Sequence, residues 1–252
     1  MKNYLMSGGA TGIGAAIKDC LREAGHRVVV MDLKDADITV DLSDAVSRAA
    51  AIAQAREQFS EGLDGIITCA GVASHFPDSG KIISINYFGT TELVAGTADL
   101  LREGGRVVLI SSNSAPQCTA PELVEAMLSD DEAVAISAAK DQSGHNCYSG
   151  SKQAVARWMK AVSGEYACRG ITINAIAPGY IETPMTAAVA NDATYGDAIR
   201  QFVASIPAGR PGLPEDVANL VEFLLSDKAS FICGALLFVD GGHDAMFRPN
   251  II

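Results

Sequence analysis

Short apolar runs alternate along this chain with longer stretches in which apolar residues recur at helical spacing. The strand-like runs are Asn3–Ser7, Arg27–Met31, Ala36–Val40, Leu63–Ala70, Gly105–Ser111, Ile171–Ile176 and Ala235–Val239. Between them lie the amphipathic stretches Gly12–Ala24, Asp44–Phe59, Ser79–Leu101, Tyr148–Arg169 and Pro214–Leu225. Strands that alternate with helices predict a parallel sheet covered on both faces, because each return to the same edge runs through a helix. Right-handed crossovers make that sheet doubly wound. The expectation is an α/β fold: a single Rossmann-type domain over residues 1–252, with a seven-stranded parallel sheet.

Two stretches break the alternation. Asn113–Cys147 holds two helix-like pieces, Glu122–Leu128 and Asp131–Lys140, with Asp130 available as a cap. It reads as an insertion over 113–147. Its apolar Leu123, Val124, Met127, Leu128, Val134 and Ile136 either face a partner subunit or pack on their own domain. Thr183–Ser205 follows a Pro-Gly turn and is rather apolar. Met185, Ala187, Ala188 and Val189 make it either a mobile substrate lid over 183–205 or an ordinary surface helix. Both stretches follow strands, so both should emerge at the carboxyl ends, where such sheets bind ligands.

Of the 252 residues, 48% are apolar and 19% charged, which suits a sizeable core. The net charge of -11 argues against nucleic acid or an anionic membrane as partner. The six cysteines form no Cys-x-x-Cys and stand beside no histidine pattern, so no metal is expected and reduced, buried thiols are. His75, His145 and His243 read as polar loop residues and His26 as a turn residue. No apolar run approaches the ~18 residues of a membrane span. The chain enters Tyr4-Leu5-Met6 with no leader ahead of it, so a cytoplasmic protein is expected.

The first strand runs into Ser7-Gly8-Gly9-Ala10-Thr11-Gly12-Ile13-Gly14, which opens the first helix. Glycine at 8, 12 and 14 allows a sharp turn and lets a pyrophosphate approach free N–H groups at the helix N-terminus. Thr11 and Ile13 lie within that turn. Strand, glycine turn and helix in this order point to a dinucleotide. Asp32 ends the second strand, where a carboxylate can accept from a ribose 2′-OH and would repel a 2′-phosphate. That favours NAD over NADP, although Lys34 stands close enough to soften the choice. Asp41-Leu42 follows the third strand, where a side chain can meet an adenine edge; Asp41 alone also reads as a helix start. Cys69-Ala70-Gly71 closes the fourth strand with small residues past which a cofactor fits.

Tyr148 and Lys152 are four residues apart in a helical stretch and so share a face. A phenol ionises near pH ~10, and a neighbouring cation favours the phenolate. Such a pair can exchange a proton with a substrate oxygen. Many helices carry the same spacing by chance, so its meaning depends on the other residues.

Taken in order, Gly8/Gly12/Gly14, Asp32, Asp41, Ala70-Gly71, Asn86, Ser111-Ser112, Tyr148/Lys152, Pro178-Gly179 and Asp240-Gly241-Gly242 resemble the short-chain dehydrogenase/reductase family over almost the whole chain. Within it the chain is similar to the bacterial 3α-hydroxysteroid dehydrogenase/carbonyl reductase group. Ala10–Ala16, Asn86–Gly89, Tyr148–Lys152, the tail Asp240–Pro249 and the long segment before Tyr148 carry that likeness. The family's Asn-Asn-Ala-Gly is replaced here by Thr68-Cys69-Ala70-Gly71, which loses the strand-end asparagines.

The resemblance implies catalysis by Asn86, Ser112, Tyr148 and Lys152. Tyr148 would move the proton, Lys152 lower the phenol pKa and hold the nicotinamide ribose, and Ser112 bind the substrate oxygen. Asn86 would support a proton relay through Lys152. Pro178, Gly179, Ile181 and Thr183 would shape the nicotinamide side. The implied reaction is NAD-dependent interconversion of a secondary alcohol and a ketone, with a 3α-hydroxysteroid as first expectation. A terpenoid, aromatic, xenobiotic or other cyclic alcohol is the alternative, and an NAD-binding regulator without turnover the third reading. The implied assembly is a homodimer, with a tetramer as the alternative.

Overall fold

The computed structural model describes residues 1–184, 186–187 and 196–251. Met185, Ala188 and Val189, named above for the lid, lie outside them. The strands are β1 (Asn3–Ser7), β2 (Arg27–Asp32), β3 (Ile38–Thr39), β4 (Leu63–Thr68), β5 (Leu101–Ile110), β6 (Thr172–Pro178) and β7 (Leu236–Val239). They form one seven-stranded sheet in the order β3-β2-β1-β4-β5-β6-β7, with every pair parallel. The helices are α1 (Gly12–Glu23), α2 (Ala45–Gln58), α3 (Ser79–Ile83), α4 (Gly89–Thr97), α5 (Pro121–Leu128), α6 (Glu132–Ala139), α7 (Gly144–Cys168), α8 (Gly196–Ala204), α9 (Pro214–Leu225) and α10 (His243–Phe247). None among the described residues is long and apolar enough to cross a membrane.

Strand alternation builds both cores. Leu5, Val29, Met31, Val107 and Leu109 meet Ala51 and Ala55 of α2, Leu93 and Val94 of α4, and Ala154, Val155 and Met159 of α7. Their neighbours Tyr4, Met6, Val28, Val30, Val108 and Ile110 point the other way, onto Ile17 and Leu21 of α1 and Val217, Val221 and Leu224 of α9. The sheet order reverses between β1 and β4, which opens a crevice at their carboxyl ends.

Several boundaries differ from the sequence reading. β3 shrinks to two residues, because Asp37 accepts the Val30 N–H at 2.8 Å before pairing begins. β4 ends at Thr68, since the Cys69 and Ala70 amides both turn back to the Ser7 carbonyl. β5 begins at Leu101, ahead of a register shift between Leu63 and Gly65 on β4. β6 extends to Pro178, which pairs with Val239. The long helix read over Ser79–Leu101 is interrupted by a π-helical turn at Ser84–Phe88, where the Asn86 amide bonds to the Val72 backbone. α7 starts at Gly144, capped by Ser143 on the Asn146 N–H. Asp131, not Asp130, caps α6; Asp130 holds φ +62° in the preceding turn.

In the 113–147 segment, Leu123, Val124 and Met127 are buried in their own domain, where α5 packs on α7 and α6. Leu128 and Ile136 are half-buried, and only Val134 of that set is exposed. His243 is buried rather than a loop residue, with Phe202 and Phe247 rings 4.7 Å from its own. Cysteines 168 and 233 are exposed, and only Cys147 is fully buried.

Candidate active site

The glycine turn is held open by contacts that a side chain would destroy. Gly8 has φ +77° and Gly12 φ +58°. A Cβ on Gly8 would stand 2.3 Å from the Ala70 nitrogen, and one on Gly14 1.6 Å from the Gly8 carbonyl oxygen. Thr11 caps α1 without a side-chain hydrogen bond, so the first N–H groups of α1 are left to face the cleft. Asp32 Oδ2 accepts from Ala10 N at 3.1 Å and Oδ1 from Leu33 N at 2.7 Å, which ties the turn to the end of β2. Free amides at a helix start, backbone within reach and one carboxylate beyond them fit an adenine dinucleotide.

Asp41 is engaged locally. It accepts from the Ser43 N–H at 2.9 Å and the Ser43 hydroxyl at 2.7 Å, and these bonds hold its carboxyl below the ordinary value. It does not start α2, which Asp44 caps. Behind it, the buried Arg48 donates to the Leu42 carbonyl at 2.9 Å and grips Glu92 of α4 and Glu132 of α6. One cation thereby joins the Asp41–Leu42 wall to the 113–147 segment, a link that the helical pattern of Asp44–Phe59 did not reveal.

α7 and β5 build the other half. Lys152 is only 4% exposed. Its Nζ donates to the Ile110 carbonyl at 2.9 Å, and its own carbonyl accepts from Ser111 Oγ at 2.8 Å. Both ends of the lysine are therefore fastened to the last turn of β5. Tyr148 stands one helical turn earlier, on the same face. Ser112 follows β5 and lines the same cleft as Tyr148. Ser112 Oγ itself accepts from the Ser114 N–H at 3.1 Å and from the Ser114 hydroxyl at 3.0 Å. Asn86 is fully buried behind them. Its amide bonds to the Val72 N–H and C=O at 2.9 and 3.1 Å and to Ser151 Oγ at 3.1 Å, and Ser151 donates to the Tyr148 carbonyl.

Burial pushes the Tyr148 phenol above its ordinary value, and the influence that lowers it is the Ser112 hydrogen bond. Burial brings Lys152 down from 10.5 to about 8. Cys69, beside Lys152 in the same cleft, is raised by burial to about 12 and is a thiol at neutral pH.

One cleft is lined by Gly8, Thr11, Gly12, Ile13, Gly14, Asp32, Asp41, Leu42, Cys69, Ala70, Gly71, Ser112, Tyr148, Lys152, Pro178, Gly179, Ile181 and Thr183. Of the candidate catalytic and cofactor-binding residues named from the sequence, Asn86 is the one that does not line it and lies behind its wall. The cleft also takes in Lys34, Val72, Ile85, Pro184 and Thr186. Ile85 belongs to the π-helical turn, and no local pattern marks it as a lining residue.

A parallel sheet of this order with a serine, tyrosine and lysine at its crevice defines a family of oxidoreductases. Residues 2–122 match the family model for short chain dehydrogenase, and residues 124–244 that for enoyl-(acyl carrier protein) reductase. The chain belongs to the short-chain dehydrogenase/reductase family and is an oxidoreductase of the alcohol/ketone type. It is similar to the 3-alpha-hydroxysteroid dehydrogenase/carbonyl reductase of Comamonas testosteroni, at 38% identity over 99% of each chain. It is also similar to the cis-4-hydroxycyclohexanecarboxylate dehydrogenase of Sinomonas cyclohexanicum, at 32% identity over 96% of each. The crystal structure of the 3-alpha-hydroxysteroid dehydrogenase from Pseudomonas sp. B-0831 complexed with NADH superposes with a TM-score of 0.93, at 41% identity, covering 99% of this chain and 100% of that one.

Proposed function

We propose that this chain is an NAD(H)-dependent dehydrogenase/reductase that interconverts a cyclic secondary alcohol and its ketone, with a 3α-hydroxysteroid as the leading substrate class. The observation that carries the reading is Ser112 and Tyr148 lining one cleft with a buried Lys152 fastened to the Ile110 carbonyl, the cleft that the glycine turn and Asp32 also line. The likeness to proteins named for 3α-hydroxysteroids supports the substrate class.

Tyr148 exchanges the proton with the substrate oxygen at its phenol oxygen. Ser112 donates a hydrogen bond to the same oxygen as charge develops there. Lys152 places a cation below the phenol and offers its N–H groups to a ribose. Asn86 acts indirectly, by holding the Val72 backbone and Ser151 under Tyr148. When bound, the nicotinamide supplies the hydride acceptor or donor. Asp32 selects the unphosphorylated ribose, and Lys34 in the same cleft limits how strict that choice is. Residues 183–205 cover the substrate, the 113–147 segment is an insertion, and the protein works as a homodimer in the cytoplasm.

A second reading, favoured by the likeness to the hydroxycyclohexanecarboxylate enzyme, keeps the chemistry and takes a monocyclic alcohol. The test is reduction of NAD and of NADP with 3α-, 3β-, 7α- and 17β-hydroxysteroids beside hydroxycyclohexanes. Turnover of the 3α epimer with NAD is expected. Tyr148→Phe should leave NAD binding near normal and remove most turnover. Activity on hydroxycyclohexanes alone would move the assignment to the second reading, and undiminished Tyr148→Phe turnover would sink the mechanism.

A further inference from the structure

Ser112 is not held by its own rotamer alone. A hydroxyl has one hydrogen to donate and two lone pairs to accept with. The Ser114 N–H reaches Ser112 Oγ at 3.1 Å and the Ser114 hydroxyl at 3.0 Å, so both lone pairs are taken. The remaining hydrogen must point away from Ser114, which leaves it for the cleft that Ser112 and Tyr148 line together. Without the Ser114 hydroxyl one lone pair is free, and Ser112 can turn round to accept from the phenol instead. The donor would then be lost from the point where an alkoxide or phenolate needs it.

We propose that Ser114 is a positioning residue that locks the Ser112 hydroxyl as a donor toward the reacting oxygen. This rests on the reading of Ser112 given above. Among the described residues the Ser114 hydroxyl makes no hydrogen bond other than that to Ser112. The loop is held by its backbone, with Ala115 N on the Ser112 carbonyl at 3.1 Å and Gln117 N on the Ser114 carbonyl at 2.8 Å. Removing the hydroxyl therefore leaves the loop and the Ser114 N–H in place. The other ionisable side chains that share the cleft with Tyr148 are Lys152, Cys69, Asp32, Asp41 and Lys34, and the substitution leaves all of them unchanged.

The experiment measures alcohol oxidation against pH for wild type, Ser112→Ala, Ser114→Ala and Ser114→Thr. Oxidation needs the phenolate, so its rate climbs with pH as Tyr148 loses its proton. Weakening the donor raises the phenol pKa and moves that climb to higher pH. Ser114→Ala should lower kcat about three- to tenfold, the worth of one neutral hydrogen bond. It should also displace the rising limb upward by roughly half a unit to one unit, with KM for NAD unchanged. Ser114→Thr, which keeps a hydroxyl, should restore both. Ser114→Ala with kcat and pH limb like wild type, beside an inactive Ser112→Ala, overturns the role of Ser114 and leaves the proposed mechanism standing. A kcat loss with an unmoved limb, not restored by threonine, also overturns it, since that is the mark of a disturbed loop. Full turnover in Ser112→Ala removes the reading of Ser112, and the role of Ser114 falls with it.

Discussion

Lys152→Met should make the cofactor-free protein more stable while abolishing its turnover. The lysine is 4% exposed, and among the described residues its ammonium has one hydrogen-bond partner, the Ile110 carbonyl. Burial brings its pKa from 10.5 to about 8, a displacement worth roughly 3 kcal/mol at about 1.4 kcal/mol per unit. That is the cost of keeping the ammonium charged in the folded protein at neutral pH. Methionine fills a similar volume without charge but leaves the Ile110 carbonyl unpaired, at about 1–2 kcal/mol. The net gain is about 1–2 kcal/mol, or a Tm higher by about 2–8 °C in a chain of this length. The pH dependence identifies the cause. Below about 8 the lysine is charged in both states and the full cost applies. Between about 8 and 10.5 the folded protein releases the proton that the unfolded chain still holds. There, wild-type stability rises with pH relative to the variant. Above 10.5 the lysine is neutral in both states, and only the lost hydrogen bond separates the two proteins. Calorimetry of both proteins without NAD, at pH 7 and near pH 10.5, checks this. A variant that is less stable at pH 7, or whose advantage does not shrink with pH, refutes the reasoning.

Gly14→Ala puts a Cβ within 1.6 Å of the Gly8 carbonyl, so the turn must open; titration calorimetry should find NAD affinity down by at least about tenfold, or ~1.4 kcal/mol. Arg48→Met leaves Glu92 and Glu132 without their shared cation. Both carboxylates are partly solvated, so the cost should be about 2–3 kcal/mol, below that of a fully buried pair, read as a lower urea midpoint with unchanged slope. Asn86→Ala strands the N–H and C=O of Val72; unfolding should show a loss of about 2–3 kcal/mol, and amide exchange at Val72 should quicken.

How much was legible in the sequence depended on how local the cause was. Gly8, Gly12 and Gly14 could be read because a tight turn before a helix needs glycine whatever surrounds it. Tyr148 and Lys152 share a face by helical spacing alone. Boundaries were harder. The break in the Ser79–Leu101 helix arises where Asn86 bonds to Val72, fourteen residues earlier in the chain, and no local propensity encodes that bond. Asp130 and Asp131 are equally good caps on paper; the turn that gives Asp130 a positive φ decides between them. Arg48 lies in a helix whose pattern resembles an ordinary surface, yet its partners come from α4 and α6.

The sequence by itself determined the alternation of strands and helices, the parallel doubly wound sheet and the residue types of the site. Those follow from side-chain periodicity and from backbone freedom at single positions. The tertiary structure alone decided how the site is wired. It showed that Lys152 is fastened to β5 and partly stripped of its charge preference by burial. It also showed that Ser114 stands behind Ser112, with two hydrogen bonds to its hydroxyl oxygen. Hydrogen-bond direction and desolvation depend on which atoms meet in space, and residues far apart in the chain supply those atoms.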